Sequence, residues 1–107
     1  MGKDFRISLL LAYYGPLITE KQRSLLDLYY NEDLSLAEIA EDEGITRQGV
    51  RDSIKKAETA LYALEEKLHL ASRFANIEMA LEKIRDITDN EEILSIIDSI
   101  LRQEELK

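Results

Sequence analysis

From Val50 to its last residue the chain carries neither glycine nor proline, and its apolar residues keep a helical rhythm. Val50, Ile54, Ala57, Leu61, Leu64, Leu68 and Ala71 alternate in steps of four and three, about three heptads of one seam. A strand, whose side chains repeat every two residues, cannot gather that spacing on one face. Beyond the seam the apolar set slips by one residue, to Leu70, Phe74, Ile77, Leu81 and Ile84. The slip predicts a bend, or a second helix starting near Leu70. "DITDNEE" then reads as a stop and a restart. Thr88 or Asp89 is expected to cap a last helix that turns Ile93, Ile96 or Ile97, and Ile100 inward.

The first half is helical too, in shorter pieces. Asp4 to Tyr14 is expected to form a helix with Phe5, Leu9 and Ala12 or Tyr13 on one face. "YGPL" ends it, because Pro16 cannot continue a helix and Gly15 tolerates a reversal. "TEKQ" is a capping box at Thr19, opening a helix with Leu25, Leu26, Leu28, Tyr29 and Tyr30 on its apolar side, and "NEDL" stops that helix. A second box pairs Ser35 with Glu38, while Leu34 and Ile39 stand at hydrophobic-staple spacing. This third helix runs to about Glu43, and Gly44 supplies the left-handed residue that turns the chain. Thr46 caps the next helix, with Ile45 and Val50 again at staple spacing. Ala40, four residues before the glycine, is small enough to let two helices cross closely. Together these signals specify a helix-turn-helix corner.

The fold class expected is all-α: a helical bundle holding a helix-turn-helix, followed by a long helix and a short C-terminal helix. A division into a helix-turn-helix domain at 1–69 and a C-terminal helical arm at 70–107 follows from the slip in the seam. Hydrophobic residues make up 45% of the chain, enough for a core. With no cysteine and one histidine, thiolate metal sites are excluded and a Ser-His-Asp site has no good construction. Glu66-x-x-His69 has the spacing found in helical di-metal sites, which need two such pairs, and phosphate-binding glycine loops are absent. No enzyme, cofactor or metal centre is expected. Neither a signal pattern nor an apolar run of about 20 residues is present, so no membrane insertion is expected and a cytoplasmic protein is.

The net charge of -8 is unevenly spread. Residues 31–45 carry six acids and no base, whereas 46–56 carry four bases and one acid. The second helix of a helix-turn-helix offers its first turns to the DNA major groove, and here those turns display Arg47, Gln48, Arg51 and, one turn later, Lys55. Arginine pairs bidentately with guanine and glutamine with adenine. The Thr46 hydroxyl and the helix N-terminus suit a phosphate, and Lys56 is placed for the DNA backbone. Glu43 and Ser53 stand at positions where such corners usually carry buried residues. A solvated basic face on a plain bundle is the bland alternative. RNA is a weaker partner, since no aromatic stacking surface accompanies the bases.

The stretch "LITEKQRSLLDLYYNEDLSLAEIAEDEGITRQGVRDSIKKAETAL" resembles the YlxM family of bacterial helix-turn-helix proteins, whose motif is similar to region 4 of sigma factors. The resemblance extends over nearly the whole chain and includes the helical tail. It implies a regulator that binds double-stranded DNA and is linked to the signal recognition particle pathway, with Arg47, Gln48 and Arg51 on the recognition helix. The sequence departs from the family pattern in having Glu43 for an aromatic, Gly49 for alanine and Arg51 for tyrosine. Two further expectations concern partners. The apolar residues from Ala57 onward are expected to build a homodimer. The rival to DNA contact is a protein-interaction adaptor in the secretion-targeting or transcription machinery, which the acidic surface would suit.

Overall fold

The computed structural model describes residues 3–102, and among these residues the chain forms six α-helices and no strand. They are α1 (Arg6–Tyr14), α2 (Glu20–Leu26), α3 (Leu36–Glu43), α4 (Arg47–Leu68), α5 (Leu70–Ile87) and α6 (Glu91–Leu101). The chain separates into two compact units, one ending at Ala71 and the other beginning at Ser72.

The first unit is built around α4, which packs against α1, α2 and α3. Val50, Ile54, Ala57 and Leu61 have no exposed surface at all, so the upper half of the four-three seam is filled by the chain's own helices. Each such side chain contributes roughly 1.5–3 kcal/mol by leaving water, alanine less. Ile7, Leu10, Leu11 and Tyr14 of α1 complete the core together with Leu25, Leu26, Tyr29, Tyr30, Ile39 and Ala40. The expected inner face of α1 is therefore corrected: Phe5 is 74% and Leu9 50% exposed and Ala12 is exposed, while Tyr13, the alternative to Ala12, is half-buried against the core. α1 is apolar nearly all round, and the stripe at i, i+3, i+4 and i+7 from Ile7 is the one facing α4. Gly15 does not reverse the chain; it is helical at φ -48° and opens a short 3₁₀ turn with Pro16 at its second position.

Both capping boxes form as the sequence implies. The Thr19 hydroxyl accepts from the Gln22 N–H at 3.1 Å and the Gln22 side chain accepts from the Thr19 N–H at 3.1 Å. Ser35 and Glu38 exchange the same pair at 3.1 and 3.0 Å. After α2 the helix widens into a π turn over Asp27–Asn31, where the Glu32 N–H reaches the Asp27 carbonyl. Tyr29 and Tyr30 are both buried on this turn, their rings edge to face with centroids 5.1 Å apart.

Three tyrosine hydroxyls tie this unit together, each donating to a carboxylate far away in sequence. Tyr30 bonds Glu58 at 2.8 Å, Tyr14 bonds Glu65 at 2.5 Å, and Tyr62 bonds Asp4. Burial, reinforced by the carboxylate partner, raises all three phenols above their ordinary range, Tyr62 to about 12. The Tyr62 hydrogen bond in turn lowers the Asp4 carboxyl.

α4 ends at His69, a left-handed residue at φ 56°, and α5 starts immediately after it. The frame slip in the sequence is thus a break between two helices. The freed N–H groups find side-chain acceptors: Leu70 donates to the Tyr14 hydroxyl and Ala71 to the Glu65 carboxylate, both at 3.0 Å.

In the second unit Asn90, and neither Thr88 nor Asp89, caps α6, its side-chain oxygen accepting from the Ile93 N–H at 3.1 Å. Thr88, two residues earlier, accepts from the Asn90 N–H at 3.2 Å. Arg85 of α5 pairs with Asp98 of α6 and with Glu82 at 3.4 Å. Of the residues expected inward, Ile97, the alternative to Ile96, is buried and is alone in that among this unit's described hydrophobic residues, Ile100 is half-buried, and Ile93 is exposed.

Candidate nucleic-acid interface

The corner between α3 and α4 is specified residue by residue. Gly44 takes φ 68°, ψ 30°, and its N–H and that of Ile45 both bond the Ala40 carbonyl, which ends the helix at a left-handed residue. Thr46 is extended, and its Oγ accepts from the Gly49 N–H at 2.9 Å. A Cβ on Gly49 would lie 3.2 Å from that Oγ, so glycine here gives the cap its room. The Thr46 hydroxyl proton is still available to a further acceptor. Ile39 and Val50 are fully buried at the crossing and Ala40 nearly so. Glu43 is exposed, so no charge is trapped in the corner, and Ser53 is half-buried against a groove beside α2.

This frame fixes which side of α4 faces outward. Gln48, Asp52 and Lys55, all exposed, lie on the side of α4 away from Val50, Ile54 and Ala57, flanked by exposed Lys56 and half-buried Arg51, while exposed Arg47, three residues before Val50, stands at the helix start on Val50's side. Among the described residues, the side chains of Arg47, Arg51, Lys55 and Lys56 make no ion pair and no hydrogen bond. Gln48 is committed: its Nε2 donates to Asp52 Oδ1 at 2.9 Å. Lys56 lines a groove of about 170 Å³ with Thr19, Lys21, Gln22 and Ser53. Arg47 lines another depression, of about 370 Å³, with Lys3, Tyr29, Asp33 and Ser35. Lys3 is held there by Asp33 at 2.7 Å and by the Tyr29 carbonyl at 2.8 Å, and it lowers the Asp33 carboxyl.

Two residues that the sequence reading passed over belong to this face. Lys21 stands beside Lys56 although 35 positions separate them, which only the packing of α2 on α4 brings about. Asp52 could have been found, being four residues after Gln48, a spacing at which glutamine and aspartate pair on a helix. Next to the basic face, α3 exposes Glu38, Glu41, Asp42 and Glu43. Among the described residues no group of three or more His, Asp or Glu side chains is placed to hold a metal, and His69 serves as the helix break. None of the described helices is long and apolar enough to cross a membrane.

A left-handed glycine between two capped helices with an uncovered basic face is a helix-turn-helix, and comparison with known proteins places it. The UPF0122 family, described as "Putative helix-turn-helix protein, YlxM / p13 like", matches residues 1–100. The chain belongs to the UPF0122 family. A UPF0122 protein of Clostridium kluyveri is 50% identical over 90 residues, covering 84% of this chain and 81% of the relative. One of Desulforamulus reducens is 47% identical over 91 residues, covering 84% and 78%. One of Thermoanaerobacter pseudethanolicus is 43% identical over 111 aligned positions, covering 96% and 95%. The whole helix-turn-helix lies within the UPF0122 match, as does α5.

Proposed function

We propose that this chain is a non-enzymatic regulator that binds double-stranded DNA through the first turns of α4. The observation that carries the reading is the set of four cations with no ion pair or hydrogen bond among the described residues, Arg47 at the start and Arg51, Lys55 and Lys56 along the first turns of the second helix of a helix-turn-helix. In this reading Arg47, Gln48 and Arg51 meet base edges in the major groove, while Thr46, Lys55 and Lys56 meet phosphates. Lys21, beside Lys56, adds a further phosphate contact. The second unit acts as an arm, from about residue 70, that joins two copies of the chain.

A second reading is favoured by the exposed acids of α3: an adaptor that binds a basic protein surface. The resemblance stated above would set such an adaptor in the secretion-targeting or transcription machinery. Fluorescence anisotropy with random and selected duplexes, repeated across a salt series, separates the two. Direct DNA binding gives a log affinity that falls linearly with log salt, with a slope of about -3 for the three lysines that meet phosphates. No duplex retained even at low salt rejects the DNA reading in favour of the adaptor.

A further inference from the structure

Resting on the DNA reading, we infer that Asp52 is a positioning residue that sets the base preference of Gln48 and lowers affinity for DNA at large. A free glutamine amide rotates and offers its oxygen or its nitrogen to any base. In this helix Nε2 spends one proton on Asp52 Oδ1, at 2.9 Å, one turn further along the same outer face. One N–H and the carbonyl oxygen of Gln48 remain. That is the donor and acceptor pair that adenine requires, its N7 accepting and its N6 amino group donating. Asp52 is exposed, so its carboxylate can also accept from a cytosine amino group. Asp52 is also the one acid among the four bases of 46–56, so it opposes phosphates wherever the helix docks. The same carboxylate therefore sharpens choice and weakens indiscriminate binding.

Three proteins test this: wild type, Asp52→Ala and Asp52→Asn. Asp52 is exposed, so both variants should keep the wild-type circular dichroism. Selection from a random duplex pool should show an adenine preference at one position in wild type, reduced about tenfold in Asp52→Ala. Asp52→Asn, which keeps an acceptor oxygen, should retain much of that preference. Both variants should bind random duplex about twofold more tightly than wild type at low salt, the gain expected from one charge removed near phosphates. In the free protein, NMR should show one Gln48 Nε2 proton shifted downfield in wild type and both protons at free-amide values in Asp52→Ala. An adenine preference unchanged in Asp52→Ala, or an unaltered Gln48 amide, overturns the inference and leaves DNA binding standing. A wild type that retains no duplex while its Gln48 amide responds as stated overturns the DNA reading and the base preference with it.

Discussion

Gly44 carries the corner by its backbone alone. Nothing lies within 4 Å of where its Cβ would be, so a substitution there meets no neighbour and the penalty comes from φ 68°. Gly44→Asn should therefore cost little, since asparagine tolerates the left-handed region, while Gly44→Val should cost about 1–3 kcal/mol. Ala40 is the opposite case: it is 7% exposed at the helix crossing, and Ala40→Leu should cost about 1–3 kcal/mol by overpacking. Thermal melts of the three variants check the order, and equal losses for Asn and Val at Gly44 would contradict a purely backbone penalty. The tyrosines give a pH signature at the same scale. Tyr14, Tyr30 and Tyr62 hold their protons more tightly folded than unfolded, so the folded state binds more protons above pH 10. Their stabilising effect is complete below that pH and is lost as pH rises toward 12 and beyond. Absorbance titration at 295 nm should show these three ionising late, together with unfolding; a single simple transition of all five tyrosines near pH 10 would contradict it.

Among the elements, those with local chemistry of their own were readable from the sequence. The two capping boxes, the Gly44 stop and the Thr46 cap depend on residues within a few positions of one another. α1 was misread for the complementary reason. Its apolar residues cover most of its surface, and only the position of α4 decides that Ile7 and Leu10 are buried and Phe5 and Leu9 are not. The candidate face divides the same way: the run from Arg47 to Lys56 shows its helical side, whereas Lys21 joins it only through the packing of α2 on α4. The break at His69 is readable as a frame slip, but what holds it is not, because Tyr14 lies 51 positions from Glu65. Tyr14→Phe would keep the ring and remove the hydroxyl, stranding the Leu70 N–H and taking one donor from the Glu65 carboxylate, which keeps the Ala71 N–H. A loss of about 1–3 kcal/mol is expected, with faster amide exchange at Leu70 and Ala71 than at Val50 or Ile54. Protection unchanged at those two amides would mean that the hydroxyl does not hold the break.

For the whole molecule, the two units differ sharply in how much they bury. The first has a core drawn from four helices, and that core absorbs the part of the seam that the sequence offers to a partner. The second, residues 72–107, leaves Ile77, Met79, Ile84, Ile87, Ile93 and Ile96 exposed, with Ile97 its one fully buried described hydrophobic residue. Two helices of this size do not bury enough surface to be stable alone; pieces below about 40 residues usually need a disulfide, a metal or a partner, and this chain has no cysteine. A second copy is the economical partner, because a two-fold axis covers the same stripe twice with one sequence. Joining two chains would also compensate for the small number of cations on each recognition helix, since the second helix binds at high effective concentration once the first is seated. The two should then read half-sites about 34 Å apart, one turn of duplex. Ile77 and Ile84 are 50% and 40% exposed, so Ile77→Glu with Ile84→Glu should leave the helix content of the chain intact while converting a sedimenting dimer into a monomer. DNA affinity should fall by at least tenfold in that variant, toward that of a single helix-turn-helix. Wild-type protein that sediments as a monomer at high micromolar concentration would defeat the dimer, and the isoleucines of α5 and α6 would then have to be covered by a different protein.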